Sequence, residues 1–180
     1  MRGMKLGTKK VVVVGIFSAI AFMLQMLGSI IGLKVGGFLE IEFSDLPALI
    51  ISMAYGPLVG VLIELVKNLL HCAVTTTGFV GEFANFAVNG IFCFVAGSIY
   101  KRHKTFKTAI ISLLLGVLAM VVGGIFTNLF VMLPLYMPQA EFSAKLSLVL
   151  GLIVPFNAVR GLVLVLITSL LYKRISRVIK

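Results

Sequence analysis

Residues 42–71 read EFSDLPALIISMAYGPLVGVLIELVKNLLH. An apolar run opens at Asp45-Leu46-Pro47, breaks at Tyr55-Gly56-Pro57 and resumes as far as His71. Gly-Pro is a strong turn signal, so the stretch divides into a short helix over about 46–55 and a second over about 58–74. At about 1.5 Å per residue, a helix of ten residues falls well short of a bilayer core of roughly 30 Å. The first of the two is therefore expected to be buried among its neighbours, or to sit where the membrane is thin.

The flanking sequence identifies the solvent as lipid. The chain has 180 residues, 60% of them hydrophobic and only 12% charged, with a mean hydropathy of +1.15. A soluble domain would be about half apolar and about a quarter charged. Val11 to Leu33 carries no charge over 23 residues, Phe83 to Tyr100 none over 18 and Thr108 to Ala140 none over 33, while Leu146 to Tyr172 carries only Arg160. Each run is long enough to span. The first follows a basic start, but it is too long for the core of a cleaved export signal and reads as a retained helix.

The positions of the charges orient the helices. Arg2, Lys5, Lys9 and Lys10 precede the first run, Lys101, Arg102, Lys104 and Lys107 form one loop, and Lys173, Arg174, Arg177 and Lys180 form the tail. This positive-inside pattern places all three clusters in the cytoplasm and accounts for the net charge of +10 without nucleic acid as a partner. An odd number of crossings must then separate the acidic segment Glu40–Asp45 from the basic loop. Two crossings in 45–74 and one ending at Tyr100 satisfy that parity. The expected fold is an all-α integral membrane protein, a single membrane domain over 1–180. Its six transmembrane helices lie at about 10–32, 46–55, 58–74, 83–100, 108–133 and 146–172, with both termini cytoplasmic and helix 2 short. The fifth helix should end near Pro134 and Pro138.

Polar groups inside membrane helices are costly, and so they mark candidate function. Helix 3 carries Glu64, Lys67, Asn68, His71 and Thr75 at spacings of about three and four, largely on one face. Glu64 and Lys67 can form an internal salt bridge that fixes packing, which leaves Asn68, His71 and Thr75 to face a ligand. The segment Thr75–Phe86 includes Thr76, Gly78, Gly81, Glu82 and Asn85. Its glycines allow close backbone approach, although Thr77 or Glu82 can equally serve as a helix cap. Helix 5 places Thr127 and Asn128 near its outer end, and Asn157 and Arg160 lie one turn apart in helix 6. Arg160 needs a partner within the bundle, either an acidic residue or ligand oxygens, and its planar fork of donors suits a carbonyl-rich heterocycle. The loop over 36–45, with Leu39, Glu40 and Phe43, can cover a pocket from outside, while Ser44 or Asp45 can simply N-cap helix 2. Cys72 and Cys93 stand in apolar surroundings without metal-ligand spacing, and His71 has no second ligand near it, so no metal site is expected.

The run at 42–71, the segment TTTGFVGEFANF at 75–86 and PFNAVRG at 155–161 closely resemble the substrate-binding S components of energy-coupling factor (ECF) transporters, and among them the riboflavin-specific type. The D-x-P start of a short helix, the G-P turn, Lys67-Asn68-x-x-His71 and Gly81-Glu82-x-Ala84-Asn85 carry the likeness. The resemblance implies six helices holding a vitamin near the outer face of a bacterial cytoplasmic membrane, capped by the loop between helices 1 and 2. It places flavin-ring contacts on Asn128, Asn157 and Arg160. The last position is often Lys in riboflavin binders, and Arg160 keeps the charge. Leu39, Glu40, Phe43, Asn68, His71, Thr76, Gly81, Glu82 and Asn85 are further candidates for substrate contact. The resemblance also implies docking of helix 1 on a transmembrane coupling protein served by two cytoplasmic ATPases. The usual docking pattern is Ala-x-x-x-Ala, and the small-x-x-x-small pair here is Gly15 and Ala19. Riboflavin is then a transported ligand and not a cofactor, with FMN left open as a second ligand.

The residues agree on one point independently. The chain has no G-x-x-x-x-G-K-[ST] sequence to hold nucleotide, so energy for pumping must come from a partner. An S component for another vitamin is the alternative in the same class. An autonomous secondary transporter would have Glu64 as its one plausible proton carrier. A lipid-modifying enzyme would need paired acids or a nucleophile–base pair near the cytoplasmic face, and none is evident there.

Overall fold

The structure, a computed structural model, describes residues 7–31, 34–35, 39–40, 43–75 and 79–179, with side chains described over 7–28, 43–75 and 79–172. Among these residues the chain forms six helices, four of them long and apolar enough to cross a membrane. We number them α1 (Thr8–Ile31), α2 (Leu46–Tyr55), α3 (Pro57–His71), α4 (Val80–Tyr100), α5 (Phe106–Tyr136) and α6 (Phe142–Tyr172, continuing to Ile179). Between α1 and α2 runs a two-residue antiparallel ladder, β1 (Lys34–Val35) with β2 (Leu39–Glu40), which sets Lys34 opposite Glu40.

The turn at Gly56 decides the layout. Gly56 has φ 107°, a backbone angle that only glycine adopts without strain, and Pro57 starts α3 at the position where its missing N–H costs nothing. The chain therefore reverses with no intervening loop. Short α2 lies inside the bundle against α1, α3, α4 and α6, with Pro47, Ala48, Leu49, Ile51, Ser52 and Met53 buried. Burial on all sides removes the need to span the bilayer.

Close approach of α3 and α4 to α2 is made at one serine. A Cβ on Gly60 or on Gly97 would collide with Ser52, and the Ser52 hydroxyl donates to the carbonyl of Cys93 at 2.5 Å. Small residues at such crossings let helix backbones pack tightly in lipid. The outward faces remain apolar, with Leu114, Leu118, Val122, Leu162, Leu166 and Leu170 exposed. A surface of this kind suits hydrocarbon and would be a liability in water.

The end of the bundle that carries the α2–α3 and α4–α5 turns has an aromatic seam. The Tyr100 and Tyr172 hydroxyls meet at 3.2 Å, Phe106 packs edge-on to Tyr172, and Lys9 sits over the Tyr55 ring. The connections α1–α2, α3–α4 and α5–α6 lie at the opposite end.

Helix 5 ends at Tyr136, between Pro134 and Pro138, and so runs through the first of these prolines. A proline ring clashes with the carbonyl four residues earlier. The structure accommodates Pro134 with a π turn over Asn128–Met132, in which the Leu133 N–H reaches back to the Asn128 carbonyl. Helix 6 repeats the device. A π turn at Val149–Ile153 precedes Pro155, with the Val154 N–H bonded to the Val149 carbonyl. The two widened turns share a small apolar cluster of Leu129, Leu133, Val149 and Ile153.

Candidate functional site

The polar side chains of α3, α4 and α6 converge beside the start of α2. Lys67 is wholly buried. Its Nζ lies 2.7 Å from Asp45 Oδ1, 2.7 Å from Glu64 Oε2, 3.0 Å from Asn85 Oδ1 and 3.1 Å from the Ser44 hydroxyl. An ammonium has three N–H donors. Asp45, Asn85 and Ser44 accept from it, and Glu64 forms an ion pair with it.

Asp45 uses its second oxygen on another helix, accepting from Nη2 of Arg160 at 2.5 Å. Asp45 thus lies between two cations, one on each carboxylate oxygen. The N-cap role foreseen for Asp45 is not how its side chain is used. Asp45 occupies the N-cap position of α2 and makes no side-chain cap bond, because the two cations compete more strongly for the carboxylate than a neutral backbone N–H does.

A second pair closes the α3–α4 connection. His71 Nδ1 meets Glu82 Oε1 at 2.9 Å, with both side chains largely buried, and Phe22 of α1 packs edge-on to the His71 ring. Glu82 thus pairs across helices from the first turn of α4. Asn89 donates to Asn85 Oδ1 at 3.1 Å, which extends the Lys67 cluster along one face of α4.

Asn68 is buried and donates to the Glu64 carbonyl of its own helix at 2.8 Å, its Oδ1 lacking a hydrogen-bond partner. Asn128, at the head of the π turn, donates to the Gly124 carbonyl at 2.8 Å. Asn157 reaches the same glycine from α6: a Cβ on Gly124 would lie 2.8 Å from its Nδ2. Asn128 and Asn157 therefore flank one point on α5, and Arg160 stands one turn beyond Asn157.

Gly81 lies in the first turn of α4, and Phe43 is exposed at the end of the α1–α2 connection. Leu39 and Glu40 form β2, their side chains outside the described residues, as is Thr76. On α1, Gly15 and Ala19 are exposed, and a Cβ on Gly15 would meet no atom within 4 Å.

Sequence reasoning missed Asp45 as the pivot of the buried charges and did not single out Ser44 as a partner of Lys67. A signal for Asp45 was available. Arg160 needs an acid, the chain has only six acidic residues, and Asp45 adjoins an intramembrane helix. The site gathers polar side chains from four helices at one end of the bundle. Among the described residues no cluster of His, Cys, Asp or Glu is placed to hold a metal ion.

Comparisons with known proteins bear on the family and the fold. The model of the family "ECF transporter, substrate-specific component" matches residues 9–172. The riboflavin transporter RibU of Staphylococcus aureus (strain TCH60) is 33% identical over 177 residues, covering 96% of this chain and 93% of that protein. The riboflavin transporter FmnP of Bacillus subtilis (strain 168) is 35% identical over 177 residues, covering 93% and 92%. A solved structure of the S component of a bacterial ECF transporter superposes with a TM-score of 0.80 at 33% identity, covering 96% of this chain and 98% of that one. ThiT from Listeria monocytogenes shares the fold alone, with a TM-score of 0.67 at 16% identity and coverage of 94% and 96%.

Proposed function

Because the chain belongs to the family of ECF transporter substrate-specific components, a multi-pass membrane protein and not an enzyme, we propose that it captures riboflavin at the outer face of a bacterial cytoplasmic membrane. It delivers the vitamin inward together with a transmembrane coupling protein and two ATPases. The observation that carries the ligand is the near-full-length similarity to two riboflavin transporters. The polar convergence at one end of the bundle supports a site there for that ligand.

In this reading Asn128, Asn157 and Arg160 hold the flavin ring. Asn157 and Asn128 approach one another across Gly124, which supports a shared contact surface. Asn68, His71, Glu82, Asn85, Thr76, Gly81 and the 39–43 segment line or cover the pocket. His71 and Glu82 act as a closed pair that shapes it, since their polar atoms meet each other. The protein works as a single membrane domain with cytoplasmic termini. The open face of α1 at Gly15 and Ala19 receives the coupling protein, where two small residues one turn apart permit close helix approach. Lipid covers the remaining apolar faces.

The test is an absorption spectrum of the protein purified in detergent and washed extensively, followed by titration with riboflavin and FMN while flavin fluorescence is monitored. Stoichiometric flavin bands, or saturable quenching of added riboflavin, are expected. A colourless protein that quenches no riboflavin overturns the ligand and leaves an S component for a different vitamin.

A further inference from the structure

We propose that Asp45 is a positioning residue for ligand binding: its carboxylate, shared between Lys67 and Arg160, fixes the orientation of the Arg160 guanidinium. This rests on the riboflavin reading above.

Asp45 is 1% exposed, and its two oxygens serve two helices that are far apart in sequence: Oδ1 goes to Lys67 on α3 and Oδ2 to Arg160 on α6. Lys67 is gripped independently by Glu64, Asn85 and Ser44, so it anchors the carboxylate from a fixed point. An acceptor fixed in this way holds the planar guanidinium in one attitude, because a rigid fork engaged at one nitrogen cannot swing without losing a charge-assisted bond. A long Arg side chain without such a tether turns toward water. Arg160 is still 11% exposed in its side chain.

The same carboxylate sits two residues after Phe43, where the α1–α2 connection enters α2. Arg160 and Asn157 lie one turn apart on α6, and Asn157 is already placed by its contact with Gly124. Asp45 therefore completes the alignment of the donors that α6 offers. Its local alternative, capping α2, is not made by its side chain.

The experiment is a double-mutant cycle. Riboflavin affinity is measured by fluorescence quenching on the detergent-purified wild type, Asp45→Asn, Arg160→Gln and the double variant, with thermal unfolding of each recorded alongside. Asp45→Asn is expected to weaken binding by about 10–100-fold, and the double variant is expected to bind no more weakly than Arg160→Gln alone. Non-additivity is the signature of one residue acting through another, and a purely structural contribution would add. Asp45→Glu keeps the charge and moves the carboxylate by one methylene; a several-fold loss is expected from it even where Asp45→Asn does not fold. Additive losses, or unchanged affinity in Asp45→Asn or Asp45→Glu, overturn the proposal. A wild type that binds no riboflavin overturns the ligand reading. Riboflavin binding that is normal in Arg160→Gln removes Arg160 from the ligand site and Asp45's role with it.

Discussion

Replacing Lys67 by Met removes the one ammonium that compensates Glu64 and half of the compensation of Asp45. Each carboxylate oxygen lies 2.7 Å from Nζ, a separation at which two unit charges attract by about 6 kcal/mol at an effective dielectric of 20. Desolvation of the ions, several kcal/mol apiece, offsets most of that gross attraction in the intact cluster. In the variant the carboxylates keep the desolvation cost and lose the attraction, and removing one partner of a buried pair costs about 3–5 kcal/mol. With roughly 2–4 °C per kcal/mol for a chain of this size, the unfolding midpoint should fall on the order of 10 °C. The assay is thermal unfolding of ligand-free protein in detergent, followed by an environment-sensitive dye. Adding Glu64→Gln to Lys67→Met takes away one stranded charge and should restore at least about 1 kcal/mol. A Lys67→Met variant that unfolds with the wild type, or a double variant less stable than the single, would refute the view that these charges depend on one another.

Asn128→Ala and Asn157→Ala should each weaken riboflavin binding by about 1–3 kcal/mol, the usual cost of leaving a buried polar partner unpaired; fluorescence titration checks this, and unchanged affinity in both removes Asn128 and Asn157 from the pocket. Gly15→Leu or Ala19→Leu should leave riboflavin binding intact and reduce uptake by whole cells, and normal uptake by both variants would show that α1 is not the docking face. Gly97→Ala should destabilise the bundle by about 1–3 kcal/mol through overpacking, because the new Cβ falls on the Ser52 hydroxyl and within 3.0 Å of the Pro57 Cα; an unfolding midpoint equal to that of the wild type would count against this packing.

The helix count and the short second helix were legible because they depend on local signals. Uncharged runs, a Gly-Pro break and the spacing of three basic clusters each act over a few residues or through a solvent that every helix shares. The Glu64–Lys67 pair was legible for the same reason, since i and i+3 on one helix face are neighbours in any fold. The π turns were not legible. Pro134 read as a helix end, and whether a proline stops a helix or widens one turn depends on what the next segment can pack against. Here Leu129 and Leu133 pack with Val149 and Ile153 across two helices.

By itself the sequence determined the solvent, the number of helices and the interior location of the costly polar groups, because burial of a charge in lipid is unfavourable in any arrangement. It also required that Arg160 find a counter-charge or ligand oxygens inside the bundle. Only the tertiary structure decided that the partner is Asp45, 115 residues away in the chain, and that one carboxylate joins α2, α3 and α6. The physical reason is that pairing between distant charges is settled by which helices α2 can touch at once. That follows from the tight reversal at Gly56 and the close crossings at Ser52, not from the spacing of residues along the chain.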